Sequence, residues 1–451
     1  MGGLLLTMAD DHAEPHIGDI LIAADGRIQA IDHQGPFPDD VEIIDATGCL
    51  VLPGFIDAHR HCWMPALRGV NADHSLQEYV RSTRNGVMPH YRPEDVYIGN
   101  LVGLWEALDA GVTTVVDFAH CLNSPDHVAA AMQANSEAPV RTLFAVGLND
   151  VPGHEGGFTS LQQRLDTFVE LLEREGRPEH VTLWMSLSDT TQAGTGQLLR
   201  EVRAVRDIGV PMTLHANLKK LRTPISEVGV LAAENLLGPD MLWAHMTQAT
   251  PEELKAVHDA GGQVVSVPED EMQMGMGTPA LLRWEAAGGA PSLGISVVSA
   301  ASGDLFGAMR LALQASRMLE NETVMAQTGA WPSSIRITSR DVVTWATRNG
   351  AIATGQSARI GTLEPGKQAD IVILKPGLFA SPLNNPWSSI AVHSARHNVD
   401  TVLVGGHVVK RGGVLLTDLA HLTHELGLSH QHVFGQVASH GGSMRDVQLP
   451  T

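Results

Sequence analysis

Two histidines one residue apart, His59 and His61, sit in the run Pro53-Gly54-Phe55-Ile56-Asp57-Ala58-His59-Arg60-His61. Side chains alternate faces along a strand, so His59 and His61 point one way and Arg60 the other. The apolar residues Val51, Leu52, Phe55 and Ile56 before them read as a core strand. Paired imidazoles at the end of such a strand form half of a divalent-metal site, whose ion acts as a Lewis acid or activates water. Two more histidines close apolar runs: His215 ends Pro211-Met212-Thr213-Leu214-His215, and His245 ends Met241-Leu242-Trp243-Ala244-His245. Four imidazoles from three strands are enough to hold one ion.

The elements that must position them follow from the hydrophobic pattern. Residues 1–53 read as short strands, with a hairpin turn at Asp25-Gly26 between Ile20-Leu21-Ile22 and an alternating run at 27–31. From 54 to 360, apolar strand-like runs (113–118, 141–146, 181–187, 211–215, 242–245, 263–267 and 293–298) alternate with helix-like stretches such as 93–110 and 161–175. Repeated β-then-α over about 300 residues fits an α/β fold with a closed (β/α)8 barrel. Strands return at 361–415, in Ala369-Asp370-Ile371-Val372-Ile373-Leu374 and Val402-Leu403-Val404. The expected layout is a barrel at 54–360 beside a small β-sandwich made by 1–53 and 361–415. A helix and tail at 416–451 pack on the surface or on a second subunit. The tail histidines His421, His424, His430, His432 and His440 have irregular spacing and read as surface residues.

Composition narrows the partners. The 451 residues include 30 Lys and Arg against 50 Asp and Glu, a net charge of −20 that argues against nucleic acid and anionic membranes and for a soluble protein, and the partner expected is a small-molecule substrate. Three cysteines make no disulfide framework, the N-terminus lacks a signal-peptide pattern, and no apolar run is long enough to span a bilayer. The expectation is a cytoplasmic globular protein.

Several segments together resemble the amidohydrolase superfamily, the metal-dependent hydrolases and deaminases. They are Gly54-Phe55-Ile56-Asp57-Ala58-His59-Arg60-His61, Ala110-Gly111-Val112-Thr113-Thr114-Val115-Val116-Asp117, the His215 and His245 strands, and Ile360-Gly361-Thr362-Leu363-Glu364-Pro365-Gly366-Lys367-Gln368-Ala369-Asp370. The resemblance spans about residues 15–415. It implies the barrel and sandwich, one divalent ion (zinc, with iron or manganese as alternatives) on His59, His61, His215 and His245, and a homodimer. It also implies an aspartate at the end of the eighth strand, where this chain has Ser296 in Ser292-Leu293-Gly294-Ile295-Ser296-Val297-Val298. A serine hydroxyl is barely ionised at neutral pH, so it is neither a comparable base nor a comparable ligand. A second departure is Leu218, three residues after His215, where many of the deaminases carry glutamate.

Asp304 could supply the missing carboxylate, but its place before the helical run 306–317 suits the helix terminus better, with Ser302 as the N-cap. His120, after the second strand, is a candidate to hydrogen-bond substrate and, with His245 and the Ser296 position, to take part in catalysis. Trp63, Met272, Met274 and Met276 are candidates to line an apolar pocket. Cys62 has no activating partner in view. Three functions fit: hydrolysis at a C–N, C=N or amide group of a small aromatic or heterocyclic substrate, ring closure of the benzoxazole type, or binding without catalysis on a decayed barrel. In the first, Ser296 is either natural or a disabling replacement.

Overall fold

The computed structural model describes residues 1–33, 41–149, 157–218, 226–377 and 383–439. Its central sheet has eight parallel strands in chain order: β1 Phe55–Arg60, β2 Val112–Ala119, β3 Arg141–Gly147, β4 Val181–Ser186, β5 Met212–Ala216, β6 Met241–His245, β7 Gln263–Ser266 and β8 Ser292–Leu293. Parallel strands flanked by helices are covered on both faces, which is why they are rich in Val, Leu and Ala. All eight residues of β2 are buried. One buried cluster joins Ala58, Val116, Leu143, Ala145, Trp184, Leu242, Ala244 and Val265, from six of the eight strands. Residues of β2 and β6 meet in this way only across the inside of a barrel, so the interior is packed rather than open.

The barrel closes between β1 and the chain just past β8. Ser296 bridges Arg60 in parallel, His61 N–H donates to the Ser296 carbonyl at 2.9 Å, and Ser296 N–H donates to the His59 carbonyl at 2.7 Å. The eighth strand is therefore shorter than the 293–298 run suggested. Its regular part ends at Leu293 because Gly294 presses against β1: a Cβ there would lie 2.8 Å from the His59 carbonyl. Ser296 then takes φ +59°, a left-handed conformation uncommon for a residue with a side chain. This turn directs residues 296 and 297 toward the end of the barrel where His59 and His61 lie.

Both chain ends build the second sheet. Leu50–Pro53 pairs parallel with Gly3–Leu5 and antiparallel with Ile371–Leu374, and Val399–Val404, His407–Arg411 and Val414–Leu415 extend it. Ile20–Ile22 and Ile28–Ile31 form the separate hairpin expected at Asp25-Gly26. Leu5, Ile28, Val51, Ile371 and Leu403 share a core of their own.

The helix Leu305–Thr328 starts one residue earlier and runs eleven residues further than the 306–317 pattern. Asp304 is its N-cap, accepting from Gly307 N–H at 2.9 Å, while the Ser302 hydroxyl instead donates to Glu269 at 2.9 Å. The C-terminal helix Leu419–Ser439 lies against the helix Pro93–Asp109. On it, His430 donates to the Ala66 carbonyl at 2.9 Å, and His421 and His424 are exposed. His440 lies outside the described residues. Among the described residues no helix is long and apolar enough to cross a membrane.

Candidate active site

Three of the four strand-end histidines converge. Ligand-capable ring nitrogens of His59, His215 and His245 all lie within 4.8 Å of one another, and among the described residues no other His, Cys, Asp or Glu group does so. The Nε2 atoms of His59 and His215 are 3.3 Å apart. A tetrahedral ion with Zn–N bonds of about 2.0–2.1 Å needs an N···N edge of roughly 3.3–3.4 Å, so this pair fits one ion without rearrangement. His61 stands beside the group, its ring centroid 4.9 Å from that of His59 and 5.4 Å from that of His215.

Three of the rings are aimed by a hydrogen bond at Nδ1, which leaves Nε2 as the free lone pair. His61 Nδ1 donates to the Phe118 carbonyl at 2.8 Å, His215 Nδ1 to Asp189 Oδ1 at 2.9 Å, and His245 Nδ1 to Glu271 Oε1 at 3.2 Å. The acceptors are themselves held: Arg84 donates to Asp189 Oδ2 at 2.8 Å, and Val267 N–H to Glu271 Oε1 at 2.7 Å. Phe118 stacks on His215 at 4.2 Å and packs edge-on against His59. Burial, reinforced by the neighbouring imidazoles, pushes His59 and His61 well below the ordinary histidine range, and burial also lowers His215 despite the opposing Asp189. Neutral imidazole is the form that binds metal. Carboxylates behind metal-ligating histidines typically contribute about 10–100-fold in metal affinity. Asp189→Asn and Glu271→Gln are each expected to weaken zinc binding by that factor in a competition titration against a chromophoric chelator.

A cavity of about 720 Å³, open mouth included, reaches this centre. Its walls include His61, His215, His245, Ser296, Leu218, Met274 and Met276 from the sequence reading. Tyr79, Arg84, Asp189, Glu227 and Asp270 also line it and were not singled out in the sequence. The remaining candidates lie elsewhere. Met272 is 41% exposed and outside the lining, because it falls on the outer side of the short helix Pro268–Gln273. Trp63 and His120 are each 1% exposed and packed behind His61, Trp63 donating its indole N–H to His120 Nδ1 at 3.2 Å. Cys62 is buried, and desolvation together with Asp117 pushes its thiol far above the usual range. Such a thiol is inert as a nucleophile.

Comparison with known proteins identifies relatives of the chain and of its fold. A 5-methylthioadenosine/S-adenosylhomocysteine deaminase of Pyrococcus furiosus is 29% identical over 430 residues, covering 88% of this chain and 92% of its own. A 5'-deoxyadenosine deaminase of Methanothermobacter thermautotrophicus is 27% identical over 412 residues, covering 88% and 90%. Among solved structures, the zinc complex of atrazine chlorohydrolase from Arthrobacter aurescens superposes with a TM-score of 0.80 at 20% identity, over 95% of this chain and 99% of that one. A zinc-bound adenosine deaminase from Xanthomonas campestris gives 0.80 at 20% identity, over 96% and 97%. The family model for the amidohydrolase family matches residues 50–409, from the strand before the first histidine pair to the far side of the second sheet, and the chain belongs to that family.

Proposed function

We propose that this protein is a zinc-dependent hydrolase that displaces an amino group from a ring carbon of a small nitrogen heterocycle, that is, a deaminase. The observation that carries the reading is the His59–His215 pair, 3.3 Å between Nε2 atoms, with His245 completing the group. The deaminase names of its relatives, at 27–29% identity over most of both chains, support the reaction class. A decayed barrel is a poor account of three rings still aimed by their own Nδ1 acceptors.

Bound to these imidazoles, a divalent ion supplies a Lewis acid and lowers the pKa of water. The protein's own groups do the rest. Leu76, Val80, Met274, Met276 and Val297 give the cavity apolar walls suited to a planar ring. The buried hydroxyl of Tyr79, a residue of the cavity lining, has no hydrogen-bond partner among the described residues and is available to a polar atom of the substrate. Arg84 is held in place by Asp189 and brings positive charge to the same wall. Leu218 is also in that wall, so no carboxylate acts from its position. Ring closure uses the substrate's own nucleophile and has less need of a carboxylate base, whereas the cavity here is lined by the carboxylate of Asp270.

The test is ammonia release by the zinc-loaded protein from 5'-methylthioadenosine, S-adenosylhomocysteine, 5'-deoxyadenosine and amino-substituted triazines, followed by a coupled assay. Zinc-dependent release from at least one is expected. Full zinc loading with no release from any of them would sink the reading.

A further inference from the structure

The missing strand-end carboxylate has a replacement in the fold. Three carboxylates are among the described residues lining the cavity: Asp189, Glu227 and Asp270. Asp189 is committed on both oxygens, to His215 and to Arg84. Glu227 accepts from Asn217 N–H at 2.9 Å and so braces the turn after β5. Asp270 is different. It is 0% exposed, its Oδ2 accepts from Val297 N–H at 3.2 Å, and its Oδ1 has no hydrogen-bond partner among the described residues.

Its position follows from the short helix Pro268–Gln273 after β7. Consecutive residues there point to different targets: Glu271 to His245, Asp270 to the turn at Ser296 and Val297. The nearby Ser296 hydroxyl favours the ionised form of the Asp270 carboxyl, as does Val297 N–H. Burial outweighs both and, with Glu269 and Glu271 nearby, raises the acid well above the usual carboxylate range. The left-handed Ser296 just past β8 and the buried Asp270 on the helix after β7 therefore face each other at the barrel closure.

We propose that Asp270 is the proton acceptor of this site, in place of a carboxylate at position 296. The proposal rests on the hydrolytic reading above and deepens it. In the step, a water O–H bond breaks and its proton goes to Asp270 Oδ1. The oxygen bonds to the ring carbon, the C–N bond breaks, and the same proton passes to the leaving amine, so that ring–NH2 and H2O become ring–OH and NH3.

Asp270→Asn keeps the shape and the acceptor for Val297 N–H, so a purely structural role would survive it. For the substrate turned over by wild type, kcat is expected to fall by about 10²–10⁴-fold, with KM held within about threefold and zinc still bound. Asp270→Asn/Ser296→Asp is expected to regain at least about tenfold over Asp270→Asn, because the carboxylate returns from the facing turn after β8. Unchanged kcat in Asp270→Asn, or a loss that follows zinc content alone, would overturn the proposal. If wild type acts on none of the heterocycles, that failure belongs to the substrate reading. Asp270 is then tested on zinc-dependent hydrolysis of 4-nitrophenyl acetate. A comparable fall in Asp270→Asn supports it, while an equal rate in wild type and variant, or inert wild type, overturns it.

Discussion

Removing the metal is expected to abolish turnover, by at least about 10⁴-fold, since a Lewis acid supplying several kcal/mol of transition-state stabilisation is lost at once. Dialysis against a chelator should do this reversibly in wild type, with activity returning in proportion to added zinc. His215→Ala should do it irreversibly. That change deletes one partner of the 3.3 Å Nε2 pair and leaves Asp189 and Arg84 facing a gap. Both metal-free forms should also melt earlier than the zinc form, because an ion at about 1,000 times its Kd stabilises the fold by roughly 4 kcal/mol. His120→Ala is the contrast. His120 lies behind His61, outside the cavity lining, so its loss should leave zinc bound and activity largely intact. A His215→Ala protein that keeps full activity would remove the site from consideration.

These expectations draw on features that differ in how readable they are from the chain alone. His59, His61, His215 and His245 were legible because each follows an apolar run, and strand periodicity alone places their rings at one end of the sheet. The barrel was legible for the same reason, repeated β-then-α patterning. What was hidden depends on backbone direction at single residues. The run 292–298 reads as one strand, but it bends after Leu293, where Gly294 meets β1 and Ser296 turns left-handed. Glu269, Asp270 and Glu271 form an acidic run in the chain. Nothing in its spacing says that Asp270 points to Ser296 while Glu271 points to His245. Met272 and Met274 look equivalent in sequence, yet the helix Pro268–Gln273 puts the first outside and its end brings the second to the wall. Tyr79 and Arg84 come from a stretch of tight and wide helical turns at 76–90, where neither a period of two nor one of 3.6 holds for long enough to assign a face.

Arg60 carries the second large expectation. The alternation that turns His59 toward the candidate metal site turns Arg60, itself fully buried, the other way into an ionic network beneath the barrel closure. Its NH1 lies 3.3 Å from Asp57 Oδ2 and its NH2 3.0 Å from Glu106 Oε2, and NH1 also approaches the Gly303 carbonyl at 3.4 Å. Asp57 in turn accepts from Ile295 N–H at 3.0 Å and His59 N–H at 3.3 Å, so the network holds β1 against the end of β8. Replacing Arg60 by methionine leaves two buried carboxylates facing an apolar side chain, and a broken buried pair costs about 3–5 kcal/mol. Glu106 keeps Arg68 and Arg396, so most of the loss falls on Asp57. Burial already pushes Asp57 up to about 6, against the opposing pull of Arg60, and removing that cation raises it further. A raised folded-state pKa means the folded protein holds the proton that the unfolded chain releases above about 4. The stability tied to that proton is present at low pH and is lost as pH rises through the folded value. Arg60→Met should therefore unfold much more readily than wild type at pH 8 and come closer to it at pH 5, where Asp57 protonates. Asp57→Asn added to Arg60→Met should recover part of the pH 8 loss. Thermal unfolding of the three proteins at both pH values measures this, and an equal deficit at pH 5 and pH 8 would show that packing rather than charge holds the closure together.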